Sequence, residues 1–155
     1  GPLDLILWRH AEAFEMREVQ DDLDRALTPK GERQAQRMAA WLNQHLPAST
    51  RVLASPARRA QQTAAALDRK VKTVPALAPD ATVEALLHSV RWPEAREPVL
   101  VVGHQPTLGL VAAYLLSGQA QAWPVRKAGV WWLRARQRET GLQVVLQAVL
   151  GPDQL

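Results

Sequence analysis

LDLILWRHAEA, residues 3–13, decides how this chain is read. Leu5, Ile6, Leu7 and Trp8 form an unbroken apolar run, and Arg9 and His10 end it. A short apolar run bounded by charge reads as a buried strand. A guanidinium and an imidazole have no business in the core that such a strand enters. They read instead as groups that the strand mounts at its end.

Two later segments repeat the plan. RVLASPARRAQQTAAALDRK, residues 51–70, starts with a short strand at Val52 and Leu53. Ser55 is a capping residue, Pro56 opens a helix, and Ala57, Ala60, Ala64 and Leu67 face inward. EPVLVVGHQPTLGLVAAYLL, residues 97–116, is the third cycle. Val99 to Val102 read as a strand buried on both faces. A Gly-His-Gln-Pro turn follows, then a helix with Leu108, Val111, Ala112, Leu115 and Leu116 inside. Between the first two cycles, residues 11–27 are polar and acidic and read as a loop. LTPKGERQAQRMAAWLNQHL, residues 27–46, predicts a helix with Thr28 as N-cap and Pro29 in first position. Ala35, Met38, Ala39, Leu42 and Leu46 form its buried stripe, and Pro47 stops it. The Pro- and Ala-rich stretch 73–98 holds a short helix around 81–90. AGVWWLRAR (128–136) and LQVVLQAVL (142–150) alternate as two antiparallel strands around the turn QRETG.

Strand–helix cycles followed by a hairpin predict an α/β fold: a three-layer α/β/α sandwich whose central sheet is mostly parallel, with a C-terminal antiparallel hairpin. The 155 residues suit a single domain over residues 3–150, with Gly1-Pro2 read as a cloning remnant. At 47% hydrophobic residues the chain can bury a core, and disorder is excluded. No apolar run is long enough to span a membrane, and the N-terminal one is too short for a signal peptide. There is no cysteine, which removes disulfide and thiolate chemistry and fits a reducing cytoplasm. The net charge of +4 is spread among acids rather than gathered in a tract, so neither nucleic acid nor membrane is an expected partner.

Ligands of such sheets bind outside the carboxyl ends of the strands. Those ends carry Arg9 and His10, the run Ser55 to Arg59, and Gly103-His104. Arginine forks fit phosphate oxygens and stay charged. An imidazole, with a reference pKa of about 6.5, is neutral and nucleophilic near pH 7. Phosphoryl transfer needs mainly positioning and charge neutralisation. Two histidines in a cationic cage therefore suffice for it without a metal.

At these residues the sequence resembles a known family. WRHAEA (8–13) looks like the Arg-His-Gly motif of the histidine phosphatase superfamily, which includes phosphoglycerate mutases and acid phosphatases. RALTPKG (25–31) is similar to its helix start, SPARRAQQT (55–63) to its Ser-Pro-x-x-Arg-Ala-x-Gln-Thr segment, and VVGHQPTLG (101–109) to its second histidine motif. Order and spacing agree over roughly residues 5–115. The short chain, RHAEA and GHQPTLG look most like the small phosphohistidine phosphatase branch, the SixA type. The resemblance implies a phosphoglycerate mutase-like fold and residue roles. His10 attacks phosphorus and carries the phosphoryl group. Arg9, Arg59 and His104 bind its oxygens, and Arg25 is a further phosphate contact. Phosphate or sulfate should occupy the site, and no cofactor is implied.

Two departures from the family pattern matter. Ala11 stands where the family has glycine, which requires a backbone with negative φ there. The acid that protonates the leaving group in larger members has three candidates, Glu12, Asp80 and Glu84. Without an acid, phosphohistidine is favoured over a sugar phosphate, because its leaving nitrogen needs little help. Other residues read as bland. His45, His88 and Arg58 belong on the surface, and the tryptophans belong to packing. His10-Ala11-Glu12 shares the His-x-Glu of zinc deaminases, but those require cysteine ligands. The expected function is a metal-independent phosphatase acting on phosphohistidine in proteins through a covalent phosphohistidine. The alternatives are a phosphatase for small esters or anhydrides, and a phosphate-binding regulatory module without turnover.

Overall fold

The computed structural model describes residues 1–16 and 21–155, so residues 17–20 of the expected loop lie outside the described residues. Among the described residues, six strands form one sheet: β1 (Leu3–Arg9), β2 (Arg51–Ala54), β3 (Val71–Thr73), β4 (Val99–Gly103), β5 (Val130–Arg138) and β6 (Gly141–Leu150). Their spatial order is β3-β2-β4-β1-β5-β6. The first four are mutually parallel, and β5 and β6 add an antiparallel hairpin beside β1. Register is what matters for function. Arg9 lies opposite Gly103 across β1 and β4, and Ala54 lies opposite Val102 across β2 and β4. The chain continues the ladder one step further, with His10 N–H donating to the Gly103 carbonyl (3.1 Å) and Ser55 N–H to the Val102 carbonyl (3.0 Å). Three motif loops therefore leave the sheet at one level.

The helices that cover the sheet, among the described residues, are α1 (Pro29–His45), α2 (Arg58–Ala65), α3 (Val83–Ser89) and α4 (Thr107–Ser117). Ile6 and Trp8 of β1 pack with Met38 and Leu42 of α1 and with Ala60 and Ala64 of α2. Leu5 and Leu7 point the other way and pack with Leu86 of α3 and Leu108 and Val111 of α4. Successive strand side chains alternate between faces, so a strand clothed on both sides has no polar position to spend. That is the physical origin of the unbroken run in residues 5–8. The three-layer α/β/α architecture is the expected one.

Local chemistry places the helix starts. Thr28 Oγ1 accepts from Gly31 N–H (3.0 Å), with Pro29 in the first turn of α1. Thr82 caps α3 in the same way, through Ala85 N–H. Gly31 and Gly109 are required by close approach rather than by φ. A Cβ on Gly31 would collide with the Glu12 carbonyl oxygen, and one on Gly109 with that of Trp123. The tryptophans are packing residues: Trp8 donates to the Ala128 carbonyl (2.9 Å), Trp132 to Asp4 (3.0 Å), and Trp41 meets Trp132 edge-on at 6.0 Å.

Some expectations shift. Pro56 does not open α2, which starts at Arg58 with Ala57 at its N-cap, because Ser55 and Pro56 form the turn out of β2. Ser55 caps no helix; its hydroxyl closes that turn and faces a histidine. Leu67 is buried, but beyond the end of α2. Leu115 and Leu116 are half-buried, packed at the margin of the core formed on the Leu5 and Leu7 face. The turn QRETG shrinks to Glu139-Thr140, with Gly141 at φ 120°. β3 has no counterpart in the sequence reading: it is three residues long and carries an exposed Lys72, as suits an edge strand.

Candidate active site

Arg9, His10, Arg25, Arg59 and His104 line one cavity of about 280 Å³ at the carboxyl ends of β1, β2 and β4. The imidazole rings of His10 and His104 lie 5.2 Å apart, centroid to centroid, tilted by 55°. Both histidines and Arg59 are buried. Hydrogen bonds between the motifs hold them there. Thr63 Oγ1 donates to the Arg59 carbonyl (2.8 Å) and accepts from Ala11 N–H (3.0 Å), tying α2 to the loop after β1. Ala11 is fully buried and is not among the residues with positive φ, so the methyl in place of glycine is accommodated. The His10 carbonyl accepts from Ala128, which is itself held at φ 61°, and Arg9 N–H donates to Gly129.

Hydrogen bonding fixes the tautomer of each ring. His10 Nδ1 lies 2.7 Å from the Ala11 carbonyl oxygen. A carbonyl only accepts, so Nδ1 carries the proton and Nε2 keeps its lone pair. His104 Nε2 lies 2.7 Å from Ser55 Oγ, which already accepts from Ala57 N–H (3.1 Å). Ser55 is fully buried, and its hydroxyl hydrogen has no other acceptor among the described residues. It therefore donates to Nε2, and His104 presents a protonated Nδ1. Burial lowers the His10 pKa from 6.5 to about 4; the bond to Ala11 opposes this, and Arg59, Arg9 and Arg25 reinforce it. Burial lowers His104 to about 3, with His10 and Arg59 adding to the effect. Both rings are neutral at pH 7: His10 presents a bare Nε2 and His104 an N–H donor.

The guanidinium groups are anchored at one end. Arg9 Nη1 donates to the Val125 carbonyl (3.0 Å), and Arg59 donates to the Asp22 carbonyl (2.8 Å) and carboxylate (3.1 Å). Arg9 Nε and Arg59 Nε are buried without a partner among the described residues. Two buried cationic donors without acceptors, beside a cavity, fit an oxyanion. Arg25 donates to Asp22 Oδ1 (3.0 Å) and to the Phe14 carbonyl (2.8 Å). Burial raises the Asp22 carboxyl, but hydrogen bonds from Arg25 and Arg59 outweigh this and hold its pKa below the ordinary value.

None of Glu12, Asp80 and Glu84 lines the cavity. Glu12 is drawn away by Thr28, whose hydroxyl donates to Glu12 Oε2 (2.7 Å) at the start of α1; Asp80 and Glu84 are exposed. Among the described residues, the carboxylates at the site are Glu15, in the lining, and Asp22, on the arginines. Sequence reading missed both, together with Lys127 and Gln105 in the lining. Lys127 had a signal. β5 runs antiparallel to β1, so the loop that enters β5 must arrive where β1 ends. His45 stacks on Trp41 at the surface, and His88 and Arg58 are exposed, all outside the cavity.

No group of three His, Asp or Glu side chains among the described residues is disposed to hold a metal ion. The cationic lining of Arg9, Arg25, Arg59 and Lys127 would also repel a divalent cation.

A family model described as the histidine phosphatase superfamily (branch 1) matches residues 5–82. An uncharacterized protein of Picosynechococcus sp. is 36% identical over 141 residues, covering 86% of this chain and 86% of that one. Among solved structures, SixA of Nakamurella multipartitia, itself a candidate phosphohistidine phosphatase, superposes with a TM-score of 0.79. The identity is 31%, over 98% of this chain and 97% of that one. A protein histidine phosphatase SixA complexed with tungstate superposes with a TM-score of 0.77 at 24% identity, over 97% and 98% of the two chains. At that identity the likeness is one of fold.

Proposed function

The chain belongs to the histidine phosphatase superfamily, as a SixA-type member, and we propose that it removes the phosphoryl group from phosphohistidine in proteins. The observation that carries this reading is a neutral His10 with a bare Nε2, facing a protonated His104 Nδ1 within a ring of arginines. Nε2 attacks phosphorus, and the bond to the substrate nitrogen breaks with its electron pair going to that nitrogen. The equatorial oxygens are met by Arg9, Arg59 and His104, with Arg25 beside them. Phosphorylated His10 is then an imidazolium, and its Nδ1–H stays on the Ala11 carbonyl, which stabilises the charge. Water attacks phosphorus in the second step, the electron pair returns to Nε2, and inorganic phosphate leaves.

Support for the substrate comes from the leaving group. Asp22 is held ionised by Arg25 and Arg59 and has no proton to donate. The ring of a phosphohistidine can carry its own proton on the far nitrogen, so it departs as neutral imidazole without an enzyme acid. A small phosphate ester is the second reading, favoured by Glu15, a carboxyl that does line the cavity. One experiment separates the readings: a phosphohistidine-bearing protein and a panel of phosphomonoesters, assayed at one enzyme concentration with and without chelator. Turnover of the first alone, unaffected by chelator and absent in His10→Ala, is the expected result. Turnover of esters alone moves the assignment to the second reading. Binding without turnover makes the chain a phosphate-binding module, and inhibition by chelator that added metal reverses overturns the metal-free mechanism.

A further inference from the structure

Four buried side-chain polar atoms lack a hydrogen-bond partner among the described residues. Arg9 Nε and Arg59 Nε belong to the site above. The other two, Thr50 Oγ1 and Arg51 Nη1, are sequence neighbours at the opposite end of β2. A buried polar atom that stays unsatisfied is destabilising, so a pair of them calls for a cause. Thr50 is only 9% exposed, and it lines a second cavity with Arg51, Lys70 and Lys72. This cavity is also about 280 Å³, and Val52 and Leu53 complete its wall. Four strand residues at about 3.3 Å each put Arg51 about 13 Å from the level of Ser55, and no residue lines both this cavity and the catalytic one.

Charge defines what the cavity takes. No carboxylate lines it, and none of its three cations makes an ion pair among the described residues. The pairing of β2 with β3, Val52 opposite Val71 and Leu53 opposite Lys72, is what gathers these cations from two strands. Lysine on a short edge strand deters pairing with another chain, which accounts for Lys72. It does not account for a buried hydroxyl and a buried guanidinium nitrogen without acceptors beside it. Every charged group here is a donor, and three like charges in one hollow repel unless an anion joins them.

We propose that this cavity is a second anion site, which binds a small molecule bearing a doubly charged oxyanion such as a phosphate group. The Arg51 fork and the Thr50 hydroxyl hold the oxygens from within, and the two ammonium groups close over them from the strand edge. The site stands independently of the phosphohistidine assignment, because it shares no residue with the catalytic cavity.

The test titrates inorganic phosphate into isotope-labelled protein and follows the backbone amides. Two groups of signals should move with different affinities: residues 9–11, 55–59 and 103–104 at the catalytic edge, and residues 50–53 and 70–73 at the other. Lys70→Met with Lys72→Met alters exposed side chains and leaves the fold intact. It should weaken the second group by at least about tenfold, equivalent to about 1.4 kcal/mol, and spare the first. Thr50→Val should weaken the same group, and Arg59→Ala only the first. If residues 50–53 stay still at millimolar phosphate, or move alike in the lysine variant and the wild type, the second site does not exist.

Discussion

A single hydroxyl group sets what His104 can do. Ser55 accepts from the backbone of Ala57 and gives its own hydrogen to His104 Nε2, which leaves Nδ1–H to meet a phosphoryl oxygen in the proposed reaction. Ser55→Ala frees the ring to adopt the other tautomer, whose bare Nδ1 would repel that oxygen. The expected result is a fall in kcat on the order of 10²–10³, the cost of losing one oxyanion donor. If His10 carries the phosphoryl group as proposed, phosphohistidine should still form on it, but slowly, and the melting temperature should change little beside the loss in rate. Unchanged kcat in Ser55→Ala would remove Ser55 from the positioning of His104. His10 is held by the opposite device, a carbonyl acceptor that pins the proton on Nδ1. The two rings thus take complementary tautomers from two different partners.

At the scale of the element, the start of α1 and the loop after β1 form one joint. Thr28 N–H donates to the Glu12 carbonyl (3.0 Å), the Thr28 hydroxyl bonds the Glu12 carboxylate, and Gly31 passes directly over the same carbonyl. Gly31→Ala puts a methyl group against backbone that cannot swing aside. Helix propensity favours alanine by about 1 kcal/mol, but overpacking against a fixed carbonyl costs about 1–3 kcal/mol. Net destabilisation is expected, visible as a lower urea midpoint, together with weaker phosphate binding, because Glu12 lies two residues from His10. A midpoint equal to or above that of the wild type would mean that the joint yields freely. Gly109 in α4 plays the same part against the Trp123 carbonyl.

The whole molecule feels the site through protons. His10 and His104 have folded pKa values of about 4 and about 3, against about 6.5 in an unfolded chain. Between those values the unfolded state binds more protons, so stability is complete above pH 6.5 and falls as the pH drops toward 4 and then 3. Asp22, whose pKa is also lowered, adds its loss only at the acid end of this range. The fall between pH 6.5 and 5 therefore belongs to the histidines. Urea midpoints at pH 7.5 and pH 5 measure it, and His10→Gln and His104→Gln should each shrink the difference. A midpoint independent of pH over that interval would contradict neutral burial of the rings.

Much of this protein was legible in one dimension. The apolar runs at 5–8 and 99–102, the Thr28-Pro29 cap and the stripe from Ala35 to Leu46 depend on local periodicity and capping, which act over a few residues and are written in order along the chain. Three strand ends marked Arg9 and His10, the run Ser55 to Arg59, and His104, because strands of one parallel sheet must deliver their ends to one edge; the family resemblance singled out Arg59 within its run. What stayed hidden depends on partners far apart in sequence. β3 is too short and too polar to announce itself, and it exists because β2 offers it a ladder. Lys127 reaches the cavity only through the antiparallel return of β5. Glu12 looked like a candidate acid beside His10, until the α1 cap claimed its carboxylate. Tautomers, pKa values and unpartnered nitrogens are likewise settled by which distant atom arrives within hydrogen-bond reach, and that is decided only when the layers close.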